Sequence, residues 1–133
     1  MDKKKEVAKK LLVLGFTPSH RGYRMLITSI MLALDDITLL DSVTYILYPE
    51  VAKRYNTTTD AVERNIRFAI KQAWSNGLAE NWTKEFGQYP AKAPSNAYFI
   101  SMIAEILSLG LAIALIWTIV FNHHLPNHHL VLH

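Results

Sequence analysis

Apolar residues recur at helical spacing along most of this chain, and the cleanest run lies at its centre. Val62, Ile66, Ala69, Ile70, Ala73 and Trp74 form one continuous stripe, the i, i+3, i+4, i+7 rhythm of an amphipathic helix. Just upstream, Val51, Ala52 and Tyr55 mark a shorter helix. Pro49 suits its first position, where a missing N–H costs nothing. Asn56 follows, a residue type that tolerates the left-handed conformation at a helix end. Thr57, Thr58 and Thr59 offer capping hydroxyls, and Thr57-x-x-Asp60 resembles a capping box. A short helix, a turn of about four residues and a longer helix make the helix-turn-helix pattern.

The flanking segments are helical by the same test. Asp2 is placed to cap a first helix running to about Leu14, with Val7, Leu11, Leu12 and Leu14 as its apolar side and Gly15 as its stop. The FTPSHRG segment reads as a loop holding His20 and Arg21. Residues 23–34 form a second helix through Tyr23, Leu26, Ile27, Ile30, Met31 and Leu34. Residues 37–47 form a third, capped by Asp41 or Ser42, with Leu40, Val43, Ile46 and Leu47 buried. After Trp74, SNG closes the long helix, Gly77 being placed to terminate it. Leu78, Trp82 and Phe86 mark a short helix, and GQYPAKAP is a turn-rich loop. Ser95 or Asn96 caps a last helix carrying Phe99, Met102, Ile103, Ile106 and Leu107. The expected fold class is all-α: a bundle of about six helices containing a helix-turn-helix, with an apolar helical extension after it. Residues 1–109 make the domain and residues 110–133 the tail.

Composition narrows the chemistry. The chain has 133 residues, half of them apolar, enough for one core of modest size. Its formal charge is +3, compatible with nucleic acid without requiring it. It has no cysteine, which excludes disulfides, thiolate metal sites and cysteine nucleophiles. The basic N-terminus is followed by an apolar run too short for a signal peptide. Its lysines, Lys3, Lys4, Lys5, Lys9 and Lys10, read by default as a solvated face. Asp35 and Asp36 are neighbours pointing about 100° apart, so they read as a helix end and a cap rather than a catalytic pair. There is no Gly-rich phosphate loop, H-E-x-x-H or triad pattern. No enzyme activity and no cofactor are expected.

The outer face of the long helix carries Glu63, Arg64, Arg67 and Lys71. Donors on one helix face are what major-groove reading needs, and Arg is shaped for bidentate contact with guanine. A solvated face with internal ion pairs, such as Glu63 with Arg67, accounts for the same spacing equally well. A resemblance tips the balance. YPEVAKRYNTTTDAVERNIRFAIKQAWSNG is similar to the DNA-binding effector half of the stage-zero sporulation protein A family. The similarity extends upstream through ITSIMLALDDITLLDSVTYIL and downstream through KAPSNAYFISMIAEIL, covering residues 7–109. The resemblance implies a sequence-specific, DNA-binding transcription regulator whose long helix enters the major groove. The family hallmark V-E-R-x-I-R aligns with Val62-Glu63-Arg64-Asn65-Ile66-Arg67, so Glu63, Arg64 and Arg67 are expected to read bases, with Lys71 on the same face. Phe68 departs from the family, which has a polar imidazole there. Lys53, Arg54, Thr57, Thr58, Thr59 and Arg21 are expected on the DNA backbone. The resemblance further implies RNA polymerase as a partner through residues 81–88, and a homodimer on tandem sites. No phospho-receiver precedes the effector part in this sequence, so switching by aspartyl phosphorylation in cis is not expected. The expected location is the cytoplasm, on the nucleoid.

The tail adds an alternative. From Ile106 to Phe121 only Ser108 and Thr118 are polar, and beyond Gly110 the run is apolar all round, which suggests lipid or complete burial. Its sixteen residues would span about 24 Å, short of the roughly 30 Å hydrocarbon core. Membrane association through residues 106–121, self-association and an extension without a selected role all stay open. With the first comes a second function class, a membrane-anchored helical protein-binding adaptor that keeps the helix-turn-helix as scaffold. His123, His124, His128 and His129 form two pairs whose neighbours point apart and lack a carboxylate, so adventitious metal binding is the default reading.

Overall fold

The computed structural model describes residues 2–87 and 91–124, with side chains through residue 122. Among these residues there are six α-helices and no strand. They are α1 (Lys3–Leu14), α2 (Arg21–Asp35), α3 (Tyr48–Arg54), α4 (Thr59–Ser75), α5 (Leu78–Phe86) and α6 (Asn96–His124). Residues 88–90 of the turn-rich loop and everything read from His128 and His129 lie outside the described residues, as do the side chains of His123 and His124.

More residues are buried in α2 than in any other helix among the described residues, and it packs against α1, α4 and α6. Met25, Leu26, Ile30 and Ala33 are fully buried there. Ser29, the one buried polar side chain among the described residues, is satisfied by donating to the Met25 carbonyl at 2.8 Å, a back-bond that a helix accommodates. Capping follows the local chemistry. The Asp2 carboxylate accepts from the Lys4 and Lys5 amides, and Gly15 ends α1 at φ 107°. The Asp36 carboxylate accepts from the Thr38 amide. Side chains then tie the ends together: Asn76 donates to the Gly15 carbonyl and Asn81 to the Leu14 carbonyl, each at 3.3 Å. An aromatic cluster of Phe16, Trp82, Phe86 and Phe99 closes the lower core, with ring centroids 4.9–6.0 Å apart.

Several local expectations change. Residues 37–47 are not one α-helix but a 3₁₀ turn (Ile37–Asp41) followed by a π-helical turn (Val43–Leu47). Ser42 caps the second by accepting from the Tyr45 amide. This broken path leaves Ile46 exposed and Leu40 half-buried, where periodicity placed both inside. Leu12 is likewise exposed, because α1 turns Val7, Leu11 and Leu14 to the core with Ala8 at their margin. In α6 the buried face is Phe99, Ile100, Ile103 and Ala104, with Met102, Ile106 and Leu107 at its margin. Ser95 is its cap, accepting from the Tyr98 amide at 3.2 Å. Beyond the core, α6 runs without a break through Gly110 to His124.

Candidate nucleic-acid interface

The turn between α3 and α4 is built from backbone geometry that only a few residue types accept. Asn56 stands at φ 51°, the sole non-glycine residue with positive φ among those described. With it in place, the Thr57 amide reaches back to the Ala52 carbonyl at 3.0 Å and the Asn56 amide to the Lys53 carbonyl at 3.2 Å. That pair of bonds is the Schellman ending of a helix. The next residue starts α4: the Thr58 hydroxyl accepts from the Ala61 amide at 3.1 Å. The capping residue is therefore Thr58, not Thr57, and the Thr57-x-x-Asp60 box does not form, because the Thr57 amide is committed to closing α3.

The apolar stripe of α4 is buried as its spacing requires: Val62, Ile66, Ala69, Ile70 and Ala73 are each at most 3% exposed, whereas Trp74 is half-buried. One contact seats α4 on α2 and a second ties the end of α3 to it. Gly22 meets the Asn65 carbonyl so closely that a Cβ there would sit 2.0 Å from the oxygen. The Thr28 and Tyr55 hydroxyls share a hydrogen bond at 2.9 Å, tying α3 to the same helix. The pair α3–α4 is thus mounted rigidly, with the polar side of α4 outward.

On that side the predicted residues divide into two groups. Arg64 is exposed and makes no ion pair among the described residues. Glu63, Arg67 and Lys71 lie instead along one wall of an open groove of about 320 Å³, whose other wall includes Thr44, Tyr48, Ser95 and Asn96. Arg67 is exposed but pairs with Glu63 one turn earlier, the internal ion pair that a solvated face also produces. The Asn96 amide donates to the Glu63 carbonyl at 2.9 Å, pinning the start of α6 to α4. Tyr48 in that other wall is 2% exposed, its hydroxyl enclosed without a well-formed hydrogen bond. Burial pushes its pKa up to about 12; Glu63 raises it as well, while the Asn96 amide and Arg67 pull it down. Burial also raises Tyr23. Both phenols are neutral at physiological pH.

The backbone candidates surround this face. Lys53 and Arg54 are exposed in the last turn of α3, Lys53 lying 3.8 Å from Glu50. Thr58 is exposed, and Thr57 and Thr59 are half-buried. Arg21 is not in a loop: it opens α2, exposed, with His20 at the preceding cap position. His20 meets the edge of the half-exposed Phe68 ring at 5.2 Å, so it is packed rather than solvated. The groove wall from Thr44, Tyr48, Ser95 and Asn96 was not legible in the sequence, because Asn96 and Glu63 are 33 positions apart and no periodicity links them. Among the described residues no cluster of His, Asp and Glu could hold a metal. A family model described as Sporulation initiation factor Spo0A C terminal matches residues 7–107.

Proposed function

The chain belongs to the sporulation initiation factor Spo0A C-terminal family, a family of DNA-binding regulator domains and not of enzymes, and from that premise we propose that it is a sequence-specific DNA-binding regulator of transcription. The observation that carries the reading is the outer face of α4. Arg64, Arg67 and Lys71 are all exposed on a helix whose start and tilt are fixed by the Asn56 turn and the Gly22 contact. Arg64 and Arg67 read base edges, Glu63 orients Arg67 or accepts from a cytosine amine, and Lys71 adds a donor on the same face. Lys53, Arg54, the Thr58 hydroxyl and the amides at the start of α4 hold phosphates, with Thr57, Thr59 and Arg21 at the margin. It acts in the cytoplasm on nucleoid DNA, as a homodimer on tandem sites, with α5 turned toward RNA polymerase.

The test compares DNA bearing the sporulation regulator's target box with a scrambled duplex. A good bidentate contact is worth about 1–3 kcal/mol of discrimination, so Arg64→Ala with Arg67→Ala should lower affinity for matched DNA by at least tenfold more than for scrambled DNA. Equal losses on both duplexes would mean that these arginines only neutralise phosphate. Binding should weaken with salt at a slope of about −0.9 per phosphate contacted.

A further inference from the structure

The outer half of α6 takes no part in the DNA-facing surface, and it is the largest apolar surface left uncovered. Leu109, Leu111, Leu115, Ile116, Trp117 and Ile119 are each between 40% and 63% exposed. Relative to Leu109 they stand at about 0°, 200°, 240°, 340°, 80° and 280° around the helix axis. They therefore encircle the helix instead of forming a stripe. A second copy of a helix covers a seam of two positions in seven, whereas lipid covers a whole circumference. The helix Asn96–Asn122 is long and apolar enough to cross a membrane by length and composition, but its first half is buried in the core through Phe99, Ile100, Ile103 and Ala104, which leaves only the outer half for lipid. We propose that the half of α6 beyond Leu109 inserts into a lipid bilayer and holds the DNA-binding domain at its surface.

Three further observations fit that occupant. The Thr118 hydroxyl donates to the Ala114 carbonyl at 2.9 Å, so the one polar side chain between Leu109 and Phe121 is satisfied within its own helix, as hydrocarbon requires. No charged residue follows Glu105. Where the helix leaves the bundle, a cleft of about 320 Å³ is lined by Lys3, Glu6 and Lys10 together with Gly110, Leu111 and Ala114. The lysine-rich helix α1 thus lies beside the point of entry. Lys4, Lys5 and Lys9 are exposed on it, while Lys3 pairs with Asp35 and Lys10 with Glu85. Basic residues so placed attract anionic headgroups. The apolar stretch beyond Leu109, residues 110–121, is about 18 Å long, well short of the roughly 30 Å core, so it enters the bilayer without crossing it.

The full chain should be floated with vesicles of phosphatidylcholine alone and of phosphatidylcholine with phosphatidylglycerol. The unmodified chain is expected to float with both, and more completely with the anionic mixture. Leu115→Glu with Ile116→Glu should reduce the floated fraction at least tenfold and leave the gel shift unchanged. Lys4→Glu, Lys5→Glu and Lys9→Glu together should remove the preference for anionic vesicles and leave binding to neutral ones. The proposal is overturned if the unmodified chain stays in the dense fraction with both vesicles. It is equally overturned if the chain forms a stable oligomer in lipid-free buffer that the double glutamate variant converts to monomer, since a second copy then covers the helix. DNA binding is read on the same preparations, so loss of one activity does not imply loss of the other.

Discussion

Replacing Gly22 with alanine should loosen the seat of α4 and, through it, the DNA-facing side chains. The added Cβ would lie 2.0 Å from the Asn65 carbonyl oxygen, 2.7 Å from its carbon and 3.0 Å from the Ala69 Cβ. Close-packed interiors do not absorb such an overlap, and α4 must retreat by about 1 Å to relieve it. The obstacle is backbone, so no rotamer change helps. Overpacking of this kind costs about 3 kcal/mol, while alanine in the first turn of α2 returns at most about 1 kcal/mol through better helix propensity. The net loss is about 2 kcal/mol, which for a domain of this size lowers Tm by about 10 °C. Thermal unfolding followed by circular dichroism measures it, and a gel shift well below Tm shows whether the displaced α4 still reads its site. Matched-site affinity should fall by about tenfold even in the folded variant, because a displacement of that size breaks bidentate geometry. A Gly22→Ala protein as stable as the parent, or more so, would refute the reasoning: helix propensity would then outweigh the contact.

Two further perturbations separate roles that look alike in the sequence. Thr58→Ala removes the hydroxyl that caps α4 and should cost about 1 kcal/mol, whereas Thr57→Ala, whose amide does the work, should cost less than about 0.5 kcal/mol; equal losses in urea titrations would contradict the assignment. The Tyr48 pKa is raised from 10 to about 12, so folding favours the protonated phenol: this stabilisation is complete below pH 10 and is lost as pH climbs toward 12. Tyr48→Phe should therefore leave stability at neutral pH nearly unchanged and move the alkaline unfolding midpoint upward, with Tyr23 accounting for the loss that remains. An unchanged alkaline midpoint would show that Tyr48 does not titrate with unfolding.

Helix identity and most helix ends were written locally. Asp2, Gly15, Asp36, Asn56 and Ser95 act where their chemistry placed them, because a cap needs only its own few neighbours. The α4 stripe was legible for the same reason: burial on one face imposes a 3.6-residue period that no other element shares. The 3₁₀ and π turns at residues 37–47 escaped the same reading, since Leu40, Val43, Ile46 and Leu47 fit a helical rhythm although only two of them are buried. Tertiary structure alone determined which half of each face is covered. It turned Ile100 and Ala104 inward in α6, brought Asn96 to the Glu63 carbonyl, set Gly22 against Asn65, and left the far half of α6 largely exposed. Those outcomes depend on contacts between segments distant in the chain, and a local pattern of apolar and polar positions carries no record of which distant surface arrives.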